Sequence, residues 1–212
     1  MGEHEQRPAD HRPAPSRLAD PGAWAVTAFA TTSFVLGMYN AGLMDKAGVA
    51  LAVPFAFFFG GFIQIVVAVL EIFRGNLFGA CVFGTYGPFW VIYAALNSLF
   101  ASDIPKTSVD SALGLFLAVF AVVSFYLFLA ALRTDIVLAV ILALIVIGLA
   151  LLAWAESSAQ QWAAVAGGWV TLAFAVLAWY HAASDITAAT FGKRFLPVWP
   201  VGSSPKEPVA PG

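Results

Sequence analysis

Six apolar runs divide this chain, at 23–44, 49–73, 78–100, 112–132, 135–155 and 162–183. No other feature restricts its fold so severely. At roughly 1.5 Å per residue, each run is long enough as a helix to cross a hydrocarbon layer of about 30 Å. Helices are required there, because backbone donors and acceptors find no water in a bilayer core. A membrane barrel would show short segments of alternating polarity. Here the runs are solid: no charged residue interrupts positions 136–152. Charged residues make up 10% of the chain and apolar ones 61%, which leaves too little polar surface to dissolve a compact domain. The expected fold class is therefore all-α: a polytopic membrane protein, multi-pass in the cell membrane, with six transmembrane helices in one bundle.

The flanks have another composition. Residues 1–22 are polar and carry Pro8, Pro13, Pro15 and Pro21, with no apolar stretch that reads as a signal peptide. Residues 198–212 are again rich in proline. The expected organisation is a disordered tail over 1–22, a six-helix domain over 23–197 and a disordered tail over 198–212. Orientation follows from the basic residues. Arg7, Arg12, Arg17, Arg74, Arg133, Lys193, Arg194 and Lys206 fall on one side, and only Lys46 and Lys106 on the other. That imbalance predicts both termini in the cytoplasm. The net charge of −2 offers no polybasic surface for nucleic acid. A lone cysteine, Cys81, excludes an internal disulfide.

Polar residues inside the runs are costly in hydrocarbon and call for partners or a wet cavity. At 100° per residue, Phe57, Gly60, Gly61, Gln64, Ala68 and Glu71 share one face of the second run. The small residues let another helix approach, so Gln64 and Glu71 point into protein. Gln64 then either bridges two helices or lines a passage, and Glu71 either pairs with Arg74 or serves substrate. In the first run Phe29, Ser33, Leu36 and Asn40 share a face with Thr32 at its margin. Ser and Thr can satisfy their own helix carbonyls, so Asn40 is the stronger signal. In the third run Gly79, Tyr86, Tyr93 and Asn97 recur near a seven-residue interval, as a packing seam or a pore wall. Asn76 is placed to cap the third helix, whose first amides also attract anions. Trp24, Trp154 and Trp162 sit near run ends as interfacial aromatics do, whereas Trp90 and Trp169 lie deeper. His181 and Asp185 have helical metal-pair spacing, but no further ligand group completes a zinc site. No metal, cofactor or catalytic constellation is expected, and so no enzyme.

These residues resemble the acetate uptake transporters, whose bacterial members are succinate–acetate permeases. The most specific part runs from Phe59-Gly60-Gly61 through Gln64, Glu71, Gly75-Asn76 and Phe78-Gly79 to Thr85-Tyr86-Gly87-Pro88-Phe89-Trp90. Asn40-Ala41-Gly42, Gly168-Trp169, Phe191-Gly192 and Leu196-Pro197 follow the same order as in that family. One stretch departs. The family opens with Asn-Pro-Ala-Pro-Leu-Gly-Leu, where this chain has Asp20-Pro21-Gly22-Ala23-Trp24-Ala25-Val26. The departure falls where substrate is handled and leaves the span intact. The resemblance implies a hexamer in which each protomer has its own pore, with an apolar constriction formed by Phe29, Tyr86 and Ile145. It implies uptake of acetate and, in some members, succinate.

A bare carboxylate in a low-dielectric collar would cost tens of kcal/mol, by Born estimates. Either donors from Thr32, Ser33, Asn40, Gln64 or Tyr86 coordinate the anion, or the acid crosses neutral and carries a proton; Glu71 and Asn76 complete the candidate pore residues. Proton-linked transport, by symport or through an anion channel, is the favoured expectation. The competing one is a hexameric channel for small neutral solutes such as urea or short amides, which need the same donors and acceptors. The expected partners are a small carboxylate, the lipid bilayer and further copies of the chain.

Overall fold

Short polar signals mark where the helices begin and end. The computed structural model describes residues 18–100, 102–105 and 107–201. Asp45, Asn76 and Asp135 each accept a backbone N–H two or three residues on, from Ala47, Gly79 and Leu138. They open α2 (Lys46–Arg74), α3 (Leu77–Ser98) and α5 (Ile136–Ser158). This satisfies amide groups that the first turn of a helix leaves without an intrahelical partner. The remaining helices are α1 (Gly22–Asn40), α4 (Val109–Ala131) and α6 (Gln161–Phe191). Gly75 ends α2 at φ 74° and Gly192 follows α6 at φ 66°, a left-handed conformation that costs glycine little. Gly75 makes possible the tight reversal that lays α3 back along α2.

The fold among the described residues is all-helical, with one isolated backbone bridge between Asp135 and Pro200. Five helices, α2 to α6, are long and apolar enough to cross a membrane. The first helix has 19 residues and is diluted by Thr27, Thr31, Thr32 and Ser33. Its hydroxyls are nonetheless largely satisfied: Thr27 and Thr31 bond carbonyls one turn back, and Trp179 Nε1 of α6 donates to Thr31 Oγ1 at 3.0 Å. Packing follows the chain around a ring. The α1 helix lies between α2 and α6, α2 packs on α3, α6 on α5 and α5 on α4, while α3 and α4 meet only slightly. A ring closed in this way encloses space rather than a central helix.

The second helix departs from the regular 100° spacing of an α-helix. Pro54 has no amide hydrogen and its ring crowds the preceding turn. The nine residues after it, Phe55–Ile63, are wound as a π-helix, a form that concentrates at functional sites. Gly60 lies inside this segment because nothing larger fits. A Cβ there would stand 2.8 Å from Thr32 Cγ2 and 2.9 Å from Trp90 Cγ, on two different helices.

The chain on either side of the helices is tied to them within the described residues. Gly22 already belongs to α1, and Asp20 is tied to Arg74 of α2 at 3.0 Å. Beyond α6 the chain doubles back over the ends of α5 and α6. Val198 and Trp199 carbonyls accept from Val137 and Ile136, Val201 N–H donates to Thr134, and Val198 is buried. The physical reason is that α5 exposes its first amides and the strap satisfies them. Residues 1–17 and 202–212, with Arg7, Arg12, Arg17 and Lys206, lie outside the described residues, as does Lys106.

Candidate functional site

The ring encloses two cavities, one above the other, that share a wall. The larger, of about 110 Å³, opens toward the end of the bundle where Asn40, Tyr93 and Glu156 lie. The smaller, of about 30 Å³, reaches toward the opposite end through Val26, Gln64, Leu138 and Ala178. Three residues line both: Phe29 of α1, Tyr86 of α3 and Ile145 of α5. All three are buried. Phe29 and Tyr86 lie ring to ring at 5.3 Å, and Phe174 of α6 stacks on Phe29 from the other side at 5.7 Å. Aromatic pairs at these separations gain from ring quadrupoles beyond their burial. The Tyr86 hydroxyl is turned out of the stack and donates to Ser124 of α4 at 2.9 Å, which fixes the ring.

Above this shared wall stand two polar groups with nothing to bond. Ser33 Oγ and Trp90 Nε1 are buried on the outer cavity and, among the described residues, have no hydrogen-bond partner. Below it Gln64 is wholly buried. Its Nε2 donates to the Gly60 carbonyl of its own helix at 2.6 Å, so the amide orientation is settled, because that carbonyl can only accept. The Gln64 Oε1 atom is then left without a donor on the inner cavity. An unpaired buried polar atom normally costs about 1–3 kcal/mol. Three of them gathered on two adjoining cavities fit a pathway whose occupant completes the bonding.

The candidate residues separate into two groups. Phe29, Ser33, Asn40, Tyr86 and Ile145 face the outer cavity, and Phe29, Gln64, Tyr86 and Ile145 the inner one. Gln64 does not bridge two helices; it bonds within α2, because the π-wound turn presents the Gly60 carbonyl to it. Thr32 lines neither cavity. Its hydroxyl turns to the Phe55 carbonyl at 3.4 Å, across the α1–α2 contact. Glu71 and Asn76 lie at the inner end of the bundle. Arg74 Nη1 donates to both Glu71 oxygens at 3.0–3.1 Å while Nη2 holds Asp20, and Asn76 caps α3. Asp20, the first residue of the stretch that departs from the family motif, is therefore the second carboxylate on Arg74.

At the same end His181 Nε2 lies 3.1 Å from Asp135 of α5, and its Nδ1 lies 3.4 Å from Asp185. Arg194 of the strap bonds Asp185 at 2.9 Å and also Ser184. Sequence periodicity missed several cavity residues. Phe174 lines the outer cavity from α6, and Ser124, outside both cavities, holds the Tyr86 ring. Trp90 is buried against Phe29, Phe89 and Tyr93, while Trp169 is exposed on the outside. The depth of Trp90 in its run was the one available hint. Glu156 reaches the outer cavity from the last turns of α5, one residue beyond the apolar run 135–155.

Comparison with known proteins agrees with this fold. Residues 3–201 match the profile of the GPR1/FUN34/yaaH family. The "Succinate-acetate/proton symporter SatP" of Escherichia coli (strain K12) is 28% identical over 186 residues, which cover 86% of this chain and 96% of that protein. "Accumulation of dyads protein 2" of Saccharomyces cerevisiae is 29% identical over 180 residues; 82% of this chain is covered but only 64% of that longer relative. Among solved structures, the "bacterial acetate channel SatP" superposes with a TM-score of 0.80 at 26% identity, over 86% of this chain and 99% of that one.

Proposed function

Because this chain belongs to the GPR1/FUN34/yaaH family, whose matched transporters and channels are not enzymes, we propose that it carries acetate and related short carboxylates through the two cavities, linked to protons. It is a multi-pass membrane protein of transport type. The observation that carries the reading is the shared wall: Phe29, Tyr86 and Ile145 line both cavities and form the constriction between them. Ser33 and Asn40 receive substrate on the outer side, Gln64 on the inner side, and Glu71 with Asn76 marks the inner mouth. Succinate falls within the substrate range.

In this reading all six helices span the cell membrane, α1 included because its three threonine hydroxyls are internally bonded and Ser33 faces the outer cavity. Both termini lie in the cytoplasm, as the basic residues Arg74, Arg133, Lys193 and Arg194 at the inner end support. The protomers form a hexamer, by likeness to the family. Phe58, Phe62, Ile65, Val69, Ile72 and Phe73 leave an apolar stripe along the outside of α2 for lipid or a neighbouring copy.

The test is flux into vesicles containing the purified protein. Radiolabelled acetate should enter, unlabelled short carboxylic acids should compete, and an inward proton gradient should speed entry. Urea swelling these vesicles while acetate stays outside would replace this reading with a neutral-solute channel.

A further inference from the structure

The polar groups on the two sides of the constriction differ in kind. Outside it, Trp90 Nε1 can only donate, and Ser33 Oγ can donate as well as accept. These groups meet the oxygens of a carboxyl group in either ionisation state. Inside it, the unpartnered atom is Gln64 Oε1, which can only accept. An ionised carboxylate has no hydrogen to offer that oxygen and would set lone pair against lone pair. A neutral carboxylic acid has one O–H to give it.

We propose that Gln64 selects the protonated acid: its free Oε1, held in place by the Gly60 hydrogen bond, accepts the O–H of a neutral short-chain carboxylic acid on the inner side of the Phe29–Tyr86–Ile145 wall. The inference rests on the function proposed above and names the atom that enforces its proton linkage. The proton balance is simple. The carboxylate takes one proton from the outer solution before it passes the wall. It crosses as the uncharged acid and releases that proton in the inner compartment, so one proton moves with each acid. The surroundings agree. Among the described residues no charged side chain lines the inner cavity, and the one titratable residue there, Tyr86, already gives its hydroxyl hydrogen to Ser124. Glu71, two turns along α2, is occupied by Arg74. On the outer cavity the charged residue is Glu156, which disfavours an approaching anion more than a neutral acid. Primary amides offer that oxygen an N–H in place of the acid's O–H and are as small, so they should compete for Gln64.

The experiment compares wild type, Gln64→Met and Gln64→Glu in proteoliposomes, reading radiolabelled acetate influx and internal pH between about pH 5 and 8, around the carboxyl titration range. Wild type should move acetate with one proton, and acetamide should inhibit it. Gln64→Met should lower influx about tenfold, the worth of one lost hydrogen bond to the crossing acid, and abolish inhibition by acetamide. Burial in this apolar cavity disfavours the ionised carboxyl of Gln64→Glu, so at acid pH it is neutral, keeps a donor for Gly60 and an acceptor for substrate, and should recover most of the influx that Gln64→Met loses near pH 5. Two results overturn the proposal: a Gln64→Met protein with wild-type flux, proton ratio and acetamide inhibition, or a folded Gln64→Glu protein as impaired as Gln64→Met at acid pH. If wild type itself fails to move acetate, the transport reading falls instead, and the two failures are told apart by that one control.

Discussion

The rings of Phe29 and Tyr86 lie 5.3 Å apart and inclined at 46°, and they belong to both cavities at once. They come from helices α1 and α3, 57 positions apart in the chain. With Ile145 they stand between the two cavities, and in the proposed function their bulk sets what crosses.

Truncation at this wall should therefore relax selection. Phe29→Ala and Tyr86→Ala are each expected to join the cavities and admit acids longer than acetate, read as competition by butyrate and benzoate in vesicle uptake. Each also loses buried aromatic packing worth about 3–5 kcal/mol, so folding should be verified by thermal melting. Unchanged selectivity in both folded variants would place the narrowest point elsewhere.

The Tyr86–Ser124 hydrogen bond holds the ring without lining the passage itself. Ser124→Ala strands a buried phenol and Tyr86→Phe a buried serine hydroxyl, so each should cost about 1–3 kcal/mol, read by denaturation in detergent. Acetate selectivity should survive Tyr86→Phe, because the ring remains. Unchanged stability in both variants would contradict the bonding described.

Arg74 joins two carboxylates of unequal standing. Glu71 is 1% exposed and the Asp20 side chain 69%. Arg74→Ala leaves Glu71 buried without its cation and should destabilise by about 3–5 kcal/mol. Asp20→Asn should cost less than about 1 kcal/mol, since its charge is already in solvent. A double variant Arg74→Leu with Glu71→Gln should recover much of the loss. Equal sensitivity at Asp20 and Glu71 would refute this division.

Uptake should rise as external pH falls. A carboxyl of the acetic type titrates near 4.3, so the neutral fraction grows about tenfold from pH 7 to pH 6. If the neutral acid is the species that crosses, initial rates at fixed total acetate should follow that fraction until the site saturates. Rates that stay flat across this interval would show that the anion itself passes.

Length and polarity of the apolar runs determined that the chain is helical and membrane-bound, because a bilayer accepts little else from uncharged stretches of that length. The 100° periodicity also brought Phe29, Ser33 and Asn40 to one face, and Gln64 with Glu71 to another, since a helix makes neighbours of residues three and four apart. Asn76 as a cap and Glu71 beside Arg74 were legible for the same local reason. The ring order was not. Nothing within α5 distinguishes Ile145 from the aliphatic residues around it, and only its position opposite Phe29 and Tyr86 puts it on the wall. Thr32 and Ser33 are adjacent in sequence, yet one hydroxyl is consumed by the Phe55 carbonyl and the other is left free on the cavity. That division depends on where α2 passes, which the π-wound stretch after Pro54 decides. Which polar atoms remain unbonded is a property of all six helices together, and it is those atoms that give the passage its chemistry.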